Sequence, residues 1–89
     1  MADYMLVRHT VKDFSAWKRG YDAHQTKRVE AGLAEKYVLQ GNGDSNEVVV
    51  LFEAADLDRA KAFAESADLQ QTMKSAGVTG KPDIDYLHN

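Results

Sequence analysis

Five apolar residues in a row, Val48-Val49-Val50-Leu51-Phe52, stand between Glu47 and Glu53, and they restrict the folds open to this chain more than any other stretch. Three consecutive valines favour an extended strand, because a β-branched side chain is stiff at χ1 and packs well on a pleated surface, whereas a helix crowds it. Successive side chains of a strand point to opposite faces. Val48, Val50 and Phe52 therefore face one way, Val49 and Leu51 the other, and both faces need cover. The remaining sequence has only enough helix to cover one face of a small sheet.

The chain has 89 residues, enough for one domain spanning 1–89. At that size a domain buries roughly 60% or slightly more of its unfolded surface, and a partner subunit adds useful cover. A net charge of -3, with 28% charged residues, argues against a phosphate-binding surface and so against nucleic acid as a partner. Without cysteine there is no disulfide framework, thiol nucleophile or thiolate metal site, a pattern that suits a reducing cytoplasm. No basic leader precedes a long apolar run, and no stretch reaches about eighteen apolar residues, so neither a signal peptide nor a membrane span is expected.

Tyr4 to Thr10 reads as the first strand, with Met5, Val7 and His9 on one face and Tyr4, Leu6 and Arg8 on the other. Asp13 is placed to cap a helix that is expected to continue to about Ala31, where Gly32 supplies the left-handed C′ position. The inner stripe of that helix is Phe14, Trp17, Tyr21, His24 and Arg28, at alternating steps of three and four. It grades from large aromatics to a histidine and an arginine, hence from core toward something polar or open.

Leu33 to Gln40 is a second strand whose Ala34, Glu35 and Lys36 suit a sheet edge. The turn-formers from Gly41 to Asn46, with two glycines available for positive φ, join it to the valine strand as a hairpin. Asp56 opens a second helix with Leu57, Ala60, Phe63 and Ala64 inward, and Ser66 breaks and recaps it. A short third helix carries Leu69 and Met73 and ends at Gly77, with Val78 expected in a Schellman contact. A last strand runs from Asp83 to Leu87, and Pro82 at its entrance implies a sheet edge or a strand start.

The order strand, helix, strand, strand, helix, strand folds by right-handed crossovers into a ferredoxin-like α+β domain. Its four-stranded antiparallel sheet has the first and third strands central and the helices on one face. Those two strands are the ones apolar on both sides. A second copy packed sheet against sheet, as a homodimer, is the simplest cover for the bare face.

His9 and His24 are the candidate catalytic residues, since imidazole is the side chain suited to proton transfer near neutral pH. If the His9 face of the first strand meets the helices, His9 points at the Trp17-Tyr21-His24 stripe. Such a pocket suits a flat aromatic or enolic molecule. Trp17, Tyr21, Arg28 and Phe52 are the candidate ligand-binding residues, and the fork of Arg28, or of Arg8, can hold a carboxylate or enolate oxygen. Tyr21 and Tyr37 are candidates to donate a hydroxyl. Glu47 and Glu53 are alternative partners for the arginines. The histidines at 9, 24 and 88 have no helical i, i+4 spacing, and neither a glycine-rich phosphate loop nor a serine elbow is present, so no metal site and no cofactor are expected, a site assembled in three dimensions from His9, His24 and a carboxylate being the one metal arrangement left open.

Three segments carry a resemblance to a known family: Val7-Arg8-His9-Thr10-Val11-Lys12-Asp13-Phe14 with Trp17 and Tyr21, then Asn46 to Glu53, then Gly77-Val78 through Pro82 to Tyr86. The chain resembles the dimeric α+β barrel superfamily, near the antibiotic-biosynthesis-monooxygenase-like domains, over nearly its whole length. The resemblance implies a pocket between helices and sheet. It also implies a cofactor-free monooxygenase, isomerase or cyclase acting on a small aromatic or polyketide-like molecule. Several oxygenases of that superfamily carry a tryptophan on the third strand and an asparagine on the first, whereas here the one tryptophan, Trp17, lies on the first helix. The competing reading is a non-catalytic dimer that binds a small metabolite or serves a larger assembly.

Overall fold

The apolar run lies where its two-sided pattern demands, in an inner strand. In a computed structural model describing residues 1–89, β1 (Asp3–Val11), β2 (Leu33–Gln40), β3 (Glu47–Ala54) and β4 (Val78–His88) form one antiparallel sheet in the order β2-β3-β1-β4. Val48, Val50 and Phe52 are 0%, 1% and 4% exposed beneath the helices. Val49 and Leu51 face outward and are only half-buried. The same alternation on β1 buries Met5, Val7 and His9 and leaves Tyr4, Leu6 and Arg8 on the outer face. The helices are α1 (Phe14–Ala23), α2 (Gln25–Glu30), α3 (Leu57–Ala64) and α4 (Ala67–Ser75), giving a ferredoxin-like α+β fold. None of them is long and apolar enough to cross a membrane.

The local signals act through identifiable groups. Asp13 accepts from the amide of Ala16, Asp56 from those of Asp58 and Arg59, and Ser66 from that of Leu69, so each helix start expected from its cap is a real one. Gly32 and Gly77 close their helices with φ of 76° and 92°.

Four expectations are corrected. The long first helix is two: it breaks at His24, where the His24 amide reaches back to Tyr21 in a tight turn. The Arg28 guanidinium also donates to the Tyr21 carbonyl, which an unbroken helix would have used for its own ladder. Gly41 and Gly43 do not carry the hairpin by positive φ; Asp44 does it, accepting from Asn46 through its side chain and from Glu47 through its carbonyl. Val78 does not sit back on a helix turn but begins β4 opposite Val11.

The last strand accordingly starts at Val78 rather than Asp83, and it bulges on the way. Arg8 pairs with Asp83 and Thr10 with Thr79, so Gly80, Lys81 and Pro82 together stand opposite the single residue His9. Gly80, with φ of 70°, makes the bend, and Pro82 falls where no ladder amide is required.

Candidate functional site

The α1 stripe and the inner face of the sheet enclose the site. Trp17 is 3% exposed and stacks on Tyr21 with ring centroids 4.8 Å apart, and His9 lies against Trp17 at 5.4 Å. Tyr21 in turn approaches Phe52 at 6.4 Å. His24 lies two helical turns beyond Trp17, about 10 Å at the usual rise, and stacks on Phe63 at 5.9 Å. A cavity of about 70 Å3 opens among these residues, and its walls include His9, Trp17, Tyr21, His24, Arg28 and Phe52. His9, His24, Trp17, Tyr21, Arg28 and Phe52 are therefore on one wall or another of the same cavity.

The cavity is smaller than the few hundred Å3 typical of a ligand site. Phe63, Leu69 and Met73 from α3 and α4 take up the room as its outer wall. The sequence puts Leu69 and Met73 on a short third helix, and Phe63 and Met73 are the side chains whose filling of this space argues against an enzyme; here they narrow it without closing it. Gly20 and Ile84 also line it and were missed. Gly20 carried a signal, because a glycine inside a helix costs about 1 kcal/mol against alanine and wants a packing reason. That reason is α4: a Cβ on Gly20 would lie 3.0 Å from the Cβ of Ala76.

His9 is the unusual side chain. It is 7% exposed, and neither ring nitrogen has a hydrogen-bond partner. Burial pushes its pKa below the ordinary imidazole value of 6.5, so the ring is neutral at pH 7. An unpaired buried polar group costs about 1–3 kcal/mol, which the rest of this core offsets.

Arg28 is buried too, but it is occupied. Its guanidinium lies 3.6 Å above the Tyr21 ring centroid and donates to the Tyr21 carbonyl. Burial lowers its pKa, while the nearby Tyr21, Glu35 and Asp22 act the other way. No carboxylate lies within ion-pair distance of it. The Tyr21 hydroxyl donates to Glu35 at 2.7 Å instead of into the cavity, and burial together with that bond raises its pKa. His24 is half-buried with Nε2 3.4 Å from Asp68 on α4, which ties the α1–α2 junction to the outer wall.

Two other candidates lie elsewhere. Arg8 is exposed on the outer face, across the ladder from Asp83 and Val49, and its suggested partner Glu53 pairs with Lys36 at 3.6 Å. Tyr37 is 61% exposed on that same face, because β2 slips its register between Glu35 and Tyr37.

This combination of an antiparallel sheet, one helical layer and a pocket between them has known counterparts. No protein-family model and no curated protein matches the sequence. Among solved structures, a proposed antibiotic biosynthesis monooxygenase from Bordetella bronchiseptica superposes with a TM-score of 0.80 at 13% identity, over 99% of this chain and 96% of that one. SnoaB, a cofactor-independent oxygenase from Streptomyces nogalater, gives 0.73 at 11% identity, over 99% and 92%. The ActVA-Orf6 monooxygenase of Streptomyces coelicolor, in complex with nanaomycin D, gives 0.70 at 16%, over 99% and 87%. The chain has the ferredoxin-like α+β fold of the antibiotic biosynthesis monooxygenase proteins. At such identities the likeness is one of fold.

Proposed function

We propose that this chain is a small cofactor-free enzyme of the monooxygenase, isomerase or cyclase kind, acting on a small phenolic or enolic aromatic molecule held between α1 and the sheet. The observation that carries this reading is His9: a neutral imidazole, buried beside Trp17, with both nitrogens unpaired at an apolar cavity. A substrate hydroxyl supplies the missing partner. His9 then takes the hydroxyl proton, leaving an imidazolium and an electron-rich phenolate or enolate whose carbon can be reprotonated elsewhere, attack a carbonyl or react with dioxygen. Trp17, Tyr21 and Phe52 make the apolar wall around the substrate hydroxyl, Arg28 biases the Tyr21 end of the pocket toward negative charge, and His24 serves as a second proton carrier. The fold shared with a cofactor-independent oxygenase and with a monooxygenase that binds nanaomycin D supports the choice.

The working unit in this reading is a homodimer joined through the outer sheet face. Tyr37, Leu51 and Leu6 form one apolar row across three strands, with Leu39 and Val49 beside it. Tyr37 and Leu39 are 61% and 53% exposed in the single chain. Contiguous apolar surface of this kind marks an interaction face, and Arg8, Asp83 and Asp85 on the same face give a two-fold partner charges of both signs.

A second reading, a binding module without chemistry, is favoured by one observation: nothing hydrogen-bonds His9 to orient it, whereas a working base is ordinarily held by a third group. Trp17 is the sole tryptophan, so its emission reports pocket occupancy directly. Titration with 2-naphthol is expected to quench it saturably, and His9→Phe is expected to weaken binding tenfold or more, the equivalent of about 1–3 kcal/mol for one buried hydrogen bond. Product formation that vanishes in His9→Phe supports the enzyme. Saturable quenching without product supports the module, and affinity unchanged in His9→Phe refutes both.

A further inference from the structure

The space beside His9 is about 70 Å3, while a cavity needs about 150 Å3 to take even a benzene ring. Room of the right order lies next to it. Between α4 and β4 is an open cleft of about 810 Å3, floored by the bulge residues Gly80, Lys81 and Pro82. Met73 of α4 and Ile84 of β4 line both spaces and so stand where the two meet. The bulge that shapes the cleft stands opposite His9 in the ladder, so the sheet is irregular at the point nearest the unpaired imidazole.

The two dividing residues differ in how easily they move. Ile84 is fixed in the sheet opposite Val7. Met73 is half-buried on α4, a helix with no buried residue, and an unbranched thioether side chain changes shape at little cost.

We propose that the inner cavity and the cleft are one binding site divided by the Met73 side chain, and that Met73 sets the size of molecule the protein accepts. The ligand's hydroxyl meets His9 in the inner cavity, and the rest of the molecule runs past a displaced Met73 into the cleft over the β4 bulge. This rests on the role given to His9 above and makes ligand size, separately from hydroxyl recognition, the property that Met73 controls.

The test uses Trp17 emission with phenol, 2-naphthol and 9-phenanthrol as one-, two- and three-ring probes, on the unmodified protein, Met73→Ala, Met73→Phe and His9→Phe, each checked for fold by circular dichroism. Met73→Ala is expected to raise affinity for 9-phenanthrol relative to phenol by about tenfold, and Met73→Phe, stiffer and bulkier, to lower that ratio by a similar factor. Either variant alone suffices if the other does not fold. A ratio unmoved by both variants, with His9→Phe still weakening all three probes, overturns the role of Met73 and leaves that of His9 standing. Failure of every probe to change Trp17 emission overturns both.

Discussion

His9 and Arg28 are the two buried polar side chains of this molecule, and they are treated oppositely. Arg28 is satisfied within the fold, by an aromatic ring and a carbonyl, at the cost of breaking a helix. His9 is left unpaired, and that has a stability consequence. Its folded pKa lies below the 6.5 of an ordinary imidazole, so the unfolded chain binds the proton first as pH falls. Stability from this group is full above pH 6.5 and is lost as pH drops from there through the folded value. Urea midpoints at pH 7.5 and pH 5 are expected to fall further for the unmodified protein than for His9→Phe; an equal drop would mean His9 does not titrate out of step with the unfolded chain. Strand alternation grouped His9 with Met5 and Val7, and only the fold turns that face of β1 toward the helices. The sequence held no sign of the missing partner, because that depends on which atoms other segments bring near.

Among the elements, those governed by their own residues were legible and those governed by neighbours were not. The Ser66 junction is of the first kind: the hydroxyl accepts from Leu69 and donates to the Phe63 carbonyl at 2.7 Å, ending one helix and starting the next. Ser66→Ala is expected to cost about 1–2 kcal/mol. That lowers the thermal midpoint by roughly 4–8 °C per kcal/mol in a chain this size, and an unchanged midpoint would show that the cap carries no weight. The break at His24 is of the second kind. Phe14 to Arg28 keeps an unbroken helical period, and the stripe does face inward throughout, but the bond from Arg28 to Tyr21 tightens the turn between. The extra length of β4 is similar: Val78 and Thr79 become strand because Val11 and Thr10 are there to pair with them.

At the scale of the whole molecule, only 15 of 89 residues are buried in a single chain, and Tyr37, Leu39 and Leu87 are among the large apolar side chains left exposed. These three lie on the outer face, in rows that alternation on β1 and β3 made predictable and that the β2 slip completed with Tyr37 and Leu39. Leu51→Lys, in the middle of those rows, is expected to convert a dimer into monomer or to unfold it in sedimentation velocity. An unmodified protein that sediments as a folded monomer at micromolar concentration would remove the dimer from the proposed function without touching the pocket.

Strand alternation, helix period and cap chemistry are properties of residues a few positions apart, and they were enough to determine the sheet order, the two-faced central strands and which side chains share a face, while the fold decided which of those faces meets the helices. The size of the cavity, the unpaired state of His9, the role of Met73 as a wall and the bulge opposite His9 depend on distances between segments far apart in the chain. Packing density decides those distances, and a single sequence carries no measure of it.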